Sequence, residues 1–370
     1  MKSMFDQARI GKLDLRNRLI RSATFEYAGD ADGHYAEPFA RIYGDLARGG
    51  VGAIITGMVG VDAQSRLTGS MIKAYDEAFV PGLRKLADLV HGLGAKLIVQ
   101  LAHCGVKVAQ LDNPDVEGQP LGPSAMEVPP AKPARAMNRE DIKSLAAAFA
   151  AAALKCKEAG ADAVQLHCAH GYLLSQFLSP YFNKRDDEYG GAIGNIKGGR
   201  SRAPLEVYEA VRLAVGDDFP VWAKVNCKDF VEGGSSTEEY FQFCAELAGR
   251  GVDAIELSAG VGMDGRSTSA QRVASEADEG VLAKEAVALA ERLDTDVISV
   301  CGYRSPDMIE TWLNRGGIAG ISLCRSLITE PDLIKRWQSG DRRKSRCISC
   351  NKCFRSQGSI ACQVDFDKLS

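Results

Sequence analysis

Only five of the 370 residues are histidine and three are tryptophan, and the charges nearly cancel, 45 Lys and Arg against 48 Asp and Glu. A chain with a formal net charge of −3 carries no broad basic field. That excludes nucleic acid and anionic membrane as electrostatic partners and leaves small-molecule chemistry. No apolar run approaches the roughly 18 residues that a membrane helix needs. The opening MKSMFDQARIGKLDLRNR lacks the apolar stretch of a secretion signal, so the expected location is the cytoplasm. No Gly-x-Gly-x-x-Gly follows the first apolar run, which weighs against an open dinucleotide-binding sheet, the runner-up architecture.

Cysteine, by contrast, is plentiful at eleven. In a chain without a signal these are not expected to form a disulfide framework. Cys104, Cys156, Cys168, Cys227, Cys244, Cys301 and Cys324 are scattered and read mostly as small buried apolar residues. Cys347, Cys350, Cys353 and Cys362 instead form Cys-x2-Cys-x2-Cys-x8-Cys in the tail, a spacing that points to metal ligation.

The 45% hydrophobic content suffices for a large core. Eight short apolar, β-branched runs recur at 18–24, 51–57, 95–102, 161–167, 220–226, 252–258, 296–301 and 318–324. Between them lie segments of helical period, one opening at Asn138 as an N-cap. Several of these segments end in a glycine turn immediately before the next run, as in GLGAK, EAGADA and GRGVDA. Parallel strands joined by helical crossovers follow, and eight of them predict an α/β fold of the (β/α)8 TIM barrel type over residues 1–340. Residues 341–370 are expected as a short cysteine-rich extension. Three long excursions, at 103–137, 168–200 and 259–278, all follow strands and so belong to the C-terminal mouth, where barrels keep their active sites.

One strand end carries unusual chemistry: LHCAHGYLLSQFLSP, residues 166–180, places His167, His170 and Tyr172 together. A zinc site would need a third protein ligand. A core placement must satisfy three polar side chains inside an apolar barrel. A third reading fits better. Two neutral imidazoles would stabilise a carbonyl oxygen gaining negative charge, and the tyrosine would give a proton to carbon. Reduction of a carbonyl-activated double bond also needs hydride, which no side chain supplies, so a cofactor is required.

The segment LHCAHGYLLSQFLSPYFNKRDDEYGG, with IGKLDLRNRLIRSAT before it and GISLCRSLITEPDLIKRW after it, resembles the Old Yellow Enzyme family of FMN-dependent NAD(P)H oxidoreductases from about Phe5 to Trp337. The resemblance implies FMN at the barrel mouth and NAD(P)H as its reductant. It gives His167 and His170 the substrate carbonyl and Tyr172 the proton for the α-carbon, with hydride passing through flavin N5 to an α,β-unsaturated acceptor. It also assigns flavin contacts to Ser22, Ala23 and Thr24 at the end of strand one, to Gly57 and Gln100 on strands two and three, and to Lys224. The phosphate falls to Cys301 and Gly302 after strand seven and to Cys324 and Arg325 after strand eight.

The sequence departs from the family in three places. Lys224 stands where arginine is usual, which keeps the cation but loses its bidentate geometry. Cys301 and Cys324 stand where glycine is common, so the phosphate must be held in a tighter space. The tail resembles the cluster-binding segment of larger relatives, such as 2,4-dienoyl-CoA reductase and trimethylamine dehydrogenase, but its later gaps are shorter. A [4Fe–4S] cluster, tetrahedral zinc and no metal are the alternatives there. A cluster would imply a ferredoxin-type electron donor and an amine dehydrogenase or enoyl-thioester reductase. A non-flavin, colourless barrel metal hydrolase using the two histidines is the rival outside flavin chemistry. The resemblance leaves the oligomeric state open, although relatives commonly form homo-oligomers.

Overall fold

The eight apolar runs become eight parallel strands: β1 (Leu19–Arg21), β2 (Ala53–Gly60), β3 (Lys96–Ala102), β4 (Ala163–Cys168), β5 (Val221–Asn226), β6 (Ala254–Ser258), β7 (Asp296–Val300) and β8 (Ile318–Leu323). This computed structural model describes residues 1–111, 118–127, 132–194, 198–263, 271–355 and 358–366. Parts of the 103–137, 168–200 and 259–278 excursions therefore lie outside the described residues. Each strand pairs with its sequence neighbours, and β1 pairs with both β8 and β2, so the sheet closes on itself as a (β/α)8 barrel. The strands are buried on both faces, as expected where helices cover the outside and side chains fill the inside. β1 is shorter than its apolar run predicts, because beyond Arg21 the chain bends over the mouth toward Ser22 and Thr24.

Local chemistry agrees with this architecture. The helix Arg139–Glu158 begins with a full capping box between Asn138 and Asp141, and Thr237–Ala248 begins with one between Ser236 and Glu239. Each cap contributes about 1 kcal/mol to its helix. The turn glycines Gly94 and Gly160, ahead of β3 and β4, sit at φ of +78° and +88°, which a side chain would resist.

An N-terminal hairpin, Ala8–Ile10 with Leu13–Leu15, plugs the bottom of the barrel. Ile10, Leu13 and Leu15 pack on Ile20, Ile55, Ile98, Trp222 and Ile298, and Trp222 Nε1 donates to the Gly11 carbonyl at 3.1 Å. Burying such side chains contributes roughly 1.5–3 kcal/mol each and makes this end dry. The polar inward residues are thereby left for the other end.

After the helix Leu333–Gln338 the chain returns across the mouth. Ser345 N donates to Arg304 O at 2.8 Å, Arg346 N to Glu330 Oε2 at 2.6 Å, and Ile360 N to Glu26 O at 2.8 Å. No helix among the described residues is long and apolar enough to cross a membrane.

Candidate active site

Above the apolar plug the barrel changes character. Lys224 on β5 stands level with His167 on β4 and Glu256 on β6. Its Nζ donates to Ser22 Oγ at 2.9 Å and lies 3.2 Å from Glu256 Oε2. Ser22 Oγ donates to Glu256 Oε1 at 2.7 Å, Gln165 Nε2 to Glu256 Oε2 at 3.0 Å, and Gln100 Nε2 to Gln165 Oε1 at 2.7 Å. These buried groups satisfy one another, and the result is a rigid polar floor carrying one cation.

Over this floor lie two adjoining cavities of about 610 and 350 Å³, which share Ala23, His170 and Lys224 in their walls. The smaller is also lined by Thr24, Phe25, Met58, Gln100, His167 and Tyr172. The rings of His167 and His170 meet edge to face with centroids 5.1 Å apart, and His167 lies 4.9 Å from Tyr172. The three predicted side chains are thus brought together.

The turn that presents them is well specified. His170 and Gly171 have φ of +61° and +68°, and His170 N donates to Asn226 Oδ1 at 3.2 Å. The buried helix Leu173–Leu178 then locks the turn through Gln176, whose Nε2 donates to Gly171 O and Cys104 O. Further on, Asn183 donates to Phe177 O and Tyr189 O, and Arg185 reaches Pro123 O, Met137 O and Asp187. The most recognisable part of the sequence therefore builds the support of the site as well as the site.

Burial pushes both imidazoles well below the usual histidine range, helped for His167 by His170, Lys224 and Lys107 and for His170 by Lys224 and Lys107. Both are neutral at physiological pH. His170 Nε2 lies 2.6 Å from Ser258 Oγ, and a ring that accepts from that hydroxyl carries its proton on Nδ1. His167 Nδ1 is buried and has no partner among the described residues. Burial also raises Tyr172, with Cys104 and Tyr27 adding to it, so the phenol keeps its proton.

The larger cavity extends to Cys301, Gly302, Arg304, Ser322, Cys324, Arg325, Cys347 and Ser349. Cys301 and Gly302 both have positive φ, +89° and +84°, and both line the polar end of this cavity. A cysteine pays about 1–2 kcal/mol to stand in that region, the physical cost of departing from glycine at 301. Ser322 Oγ and Arg304 Nη2 are buried here without partners among the described residues. Such orphans cost roughly 1–3 kcal/mol each, a debt that a polar ligand removes. An elongated cavity with orphan donors at its polar end and a cation on its floor fits a flavin mononucleotide.

Gly57 alone of the expected contacts lines neither cavity. A Cβ added there would run into the Glu26 carboxylate and the Thr24 carbonyl. The register of β2 against β3 shifts between Ile55 and Met58, and Met58 takes the place at the mouth. Thr24 Oγ1 donates to Ser22 O at 3.0 Å and lies 3.2 Å from Cys324 Sγ, so it links the floor to the cysteine wall.

The tail cysteines converge less tightly than their spacing suggests. Burial raises the Cys353 thiol to about 11, with Cys324, Cys347 and Cys350 adding to it, whereas Cys362 Sγ accepts from Thr329 Oγ1 at 3.7 Å. Among the described residues, no three of these sulfurs lie within 4.8 Å of one another. Tetrahedral zinc, with Zn–S near 2.3 Å, requires about 3.8 Å between sulfurs.

Gln165, two residues before His167 on the same strand, and Glu256 and Ser258, on the strand next to that of Lys224, were legible from the period of two, yet the sequence reading missed them. Phe25, Lys107 and Arg304 come from loops and gave no such signal.

Residues 3–344 match the sequence profile of the NADH:flavin oxidoreductase / NADH oxidase family. The chain is 34% identical over 355 residues to a metal reductase of Desulforamulus reducens, covering 95% of this chain and 51% of that one, so it spans about half of that relative's length. It is 30% identical over 381 residues to a 4,4'-dithiodibutanoate disulfide reductase of Rhodococcus erythropolis, covering 95% of this chain and 92% of that one. The fold superimposes on an old yellow enzyme homologue from Zymomonas mobilis with a TM-score of 0.77 at 23% identity, covering 94% and 96% of the two chains. The matched residues span the barrel from the plugging hairpin to the start of the tail, and on that extent the chain belongs to the NADH:flavin oxidoreductase / NADH oxidase family, the family of Old Yellow Enzyme.

Proposed function

We propose that this chain is an FMN-dependent NAD(P)H oxidoreductase that reduces an activated carbon–carbon double bond, an α,β-unsaturated carbonyl. The observation that carries the reading is the pairing of two neutral, buried imidazoles with a protonated tyrosine above a floor cation. Bound FMN supplies the hydride chemistry that side chains lack. Ser22, Ala23, Thr24, Gln100 and Lys224 would hold its ring, and Cys301, Gly302, Cys324 and Arg325, joined by Arg304, its phosphate. His167 and His170 offer N–H groups to the substrate oxygen in a water-poor cavity, where such donors act most strongly. Tyr172 holds the proton that the α-carbon takes. Eleven free cysteines suit a reducing compartment, and we place the protein in the cytoplasm.

The purified chain should be yellow, lose its flavin colour anaerobically with NADH or NADPH, and regain it with 2-cyclohexenone. The panel should include enoyl thioesters, amines and, given the Rhodococcus relative, a disulfide dicarboxylate. Colourless protein that takes up no FMN, or a reduced flavin oxidised by an amine or disulfide but not by enones, overturns the assignment.

A second reading concerns the tail. Among the described residues the sulfurs stand wider apart than closed zinc needs, while Cys324, Cys347 and Cys350 lie near enough to raise the Cys353 thiol; we propose a [4Fe–4S] cluster held by the tail cysteines, served by a ferredoxin-type donor. Anaerobically prepared protein should then contain iron and acid-labile sulfide and give an EPR signal on reduction. About one zinc and no iron per chain ends this reading.

A further inference from the structure

Lys107 lies in the 3-10 turn Gly105–Leu111 that follows β3, and the chemistry proposed above makes no use of it. Its Nζ donates to the carbonyl of His170 at 2.6 Å and stands 4.9 Å from the centroid of the Tyr172 ring. Its stem passes so close to Gly171 that a Cβ there would meet Cε at 3.2 Å. One lysine side chain therefore lies against all three residues of the turn that presents the clamp and the proton donor, its ammonium on His170 and Tyr172 and its stem beside Gly171. Among the described residues no carboxylate pairs with it. An ammonium without a counter-ion, placed over an aromatic face in a dry region, is held there by its contacts with that turn.

We propose that Lys107 is the positioning residue of this active site: its ammonium fixes the left-handed His170–Gly171 turn and the Tyr172 ring in the orientation that substrate requires. The proposal rests on the reading of His170 as a carbonyl donor and Tyr172 as a proton donor. Asn226 holds the His170 N–H and Gln176 the Gly171 carbonyl, and the Lys107 bond to the His170 carbonyl completes the set that fixes this turn of two successive positive φ values. Small displacements of such groups carry large rate penalties.

The same contact gives the site a pH limit. Burial lowers Lys107 to about 8, with Cys104 partly opposing that shift. Cys104, His167, His170 and Tyr172 face the ammonium, with Asp62 and Tyr27 one residue further out. The two imidazoles are neutral and the phenol and thiol protonated throughout the neutral range, so Lys107 is the facing group that changes charge near pH 8. The ammonium is present below that pH and lost above it.

The test uses the flavin-loaded protein and two readings. The first is affinity for cyclohexanone, an unreactive ketone, followed by its perturbation of the flavin spectrum. The second is reoxidation of dithionite-reduced enzyme by 2-cyclohexenone in stopped flow, from pH 6 to 10. Lys107→Met should weaken ketone binding about tenfold and slow reoxidation by about ten- to a hundredfold. The wild-type rate should fall above pH 8, and that limb should be absent in K107M. Lys107→Arg, which keeps the charge and folds with less disturbance, should stay within about threefold of wild type and carry no limb up to pH 10. Wild-type ketone affinity and an unchanged pH limb in K107M overturn the proposal. His167→Ala/His170→Ala separates the two levels. Retained ketone binding in that variant defeats the carbonyl-clamp reading itself, whereas loss there beside a wild-type K107M defeats only the role of Lys107.

Discussion

Replacing His167 and His170 together with alanine is expected to slow enone reduction by at least about 10³-fold while the protein still folds and binds FMN. A single donor to a developing oxyanion in a water-poor site contributes roughly 10²–10³-fold. The two act on one oxygen, so their effects should not simply multiply. Stability should fall little, for a specific reason. His167 Nδ1 is buried without a partner among the described residues, so deleting the ring removes an unsatisfied group along with its packing. His170 is tied to the protein through Ser258, whose 2.6 Å contact is lost with the ring, so H170A should be the more destabilising single change. Flavin content is expected to persist, because Ser22, Lys224, Gly302 and Arg325 line the cavities independently of the imidazoles. Reoxidation kinetics with 2-cyclohexenone, alongside urea unfolding of each variant, decide the matter. Wild-type turnover in the double variant would leave the clamp without a role.

The barrel was legible because closure of a parallel sheet depends on features that repeat: eight β-branched runs, helical periods between them and glycine turns before them. Each strand appears within a few residues of its apolar run. His167, His170 and Tyr172 were legible for a different reason, since three polar side chains at the end of an apolar strand have no comfortable core placement. Gly57 shows what a linear reading leaves open. It sits at a shift of register between two strands that brings Met58 to the cavity wall, and register depends on the partner strand rather than on the residues themselves. Lys107 and Arg304 were hidden because loop residues follow no period, and their roles come from contacts with distant turns. Asn183, Arg185 and Tyr189 carry the family resemblance strongly, yet in the structure they are hydrogen-bonded supports. The tail cysteines were legible as a pattern, but their distances depend on how the chain recrosses the mouth.

Lys224→Met should be the most destabilising single change in the polar floor. The Lys224 side chain is 4% exposed and that of Glu256 is fully buried, and among the described residues the lysine is the cation paired with that carboxylate on the floor. Removing it leaves a buried negative charge holding hydrogen bonds from Ser22 and Gln165 alone. Breaking a buried pair in this way costs about 3–5 kcal/mol, a large share of the 5–15 kcal/mol by which domains are typically stable. Lys224→Met/Glu256→Gln, which removes both charges, should recover most of the loss, because the carboxamide keeps a donor and an acceptor where the carboxylate stood. Lys224→Arg keeps the cation and separates charge from packing, and it should retain FMN where K224M binds it weakly. Urea unfolding midpoints for the four proteins, with and without FMN, measure each arm. A double variant no more stable than K224M would mean that the two side chains are not coupled, and the floor would then be a matter of shape rather than charge.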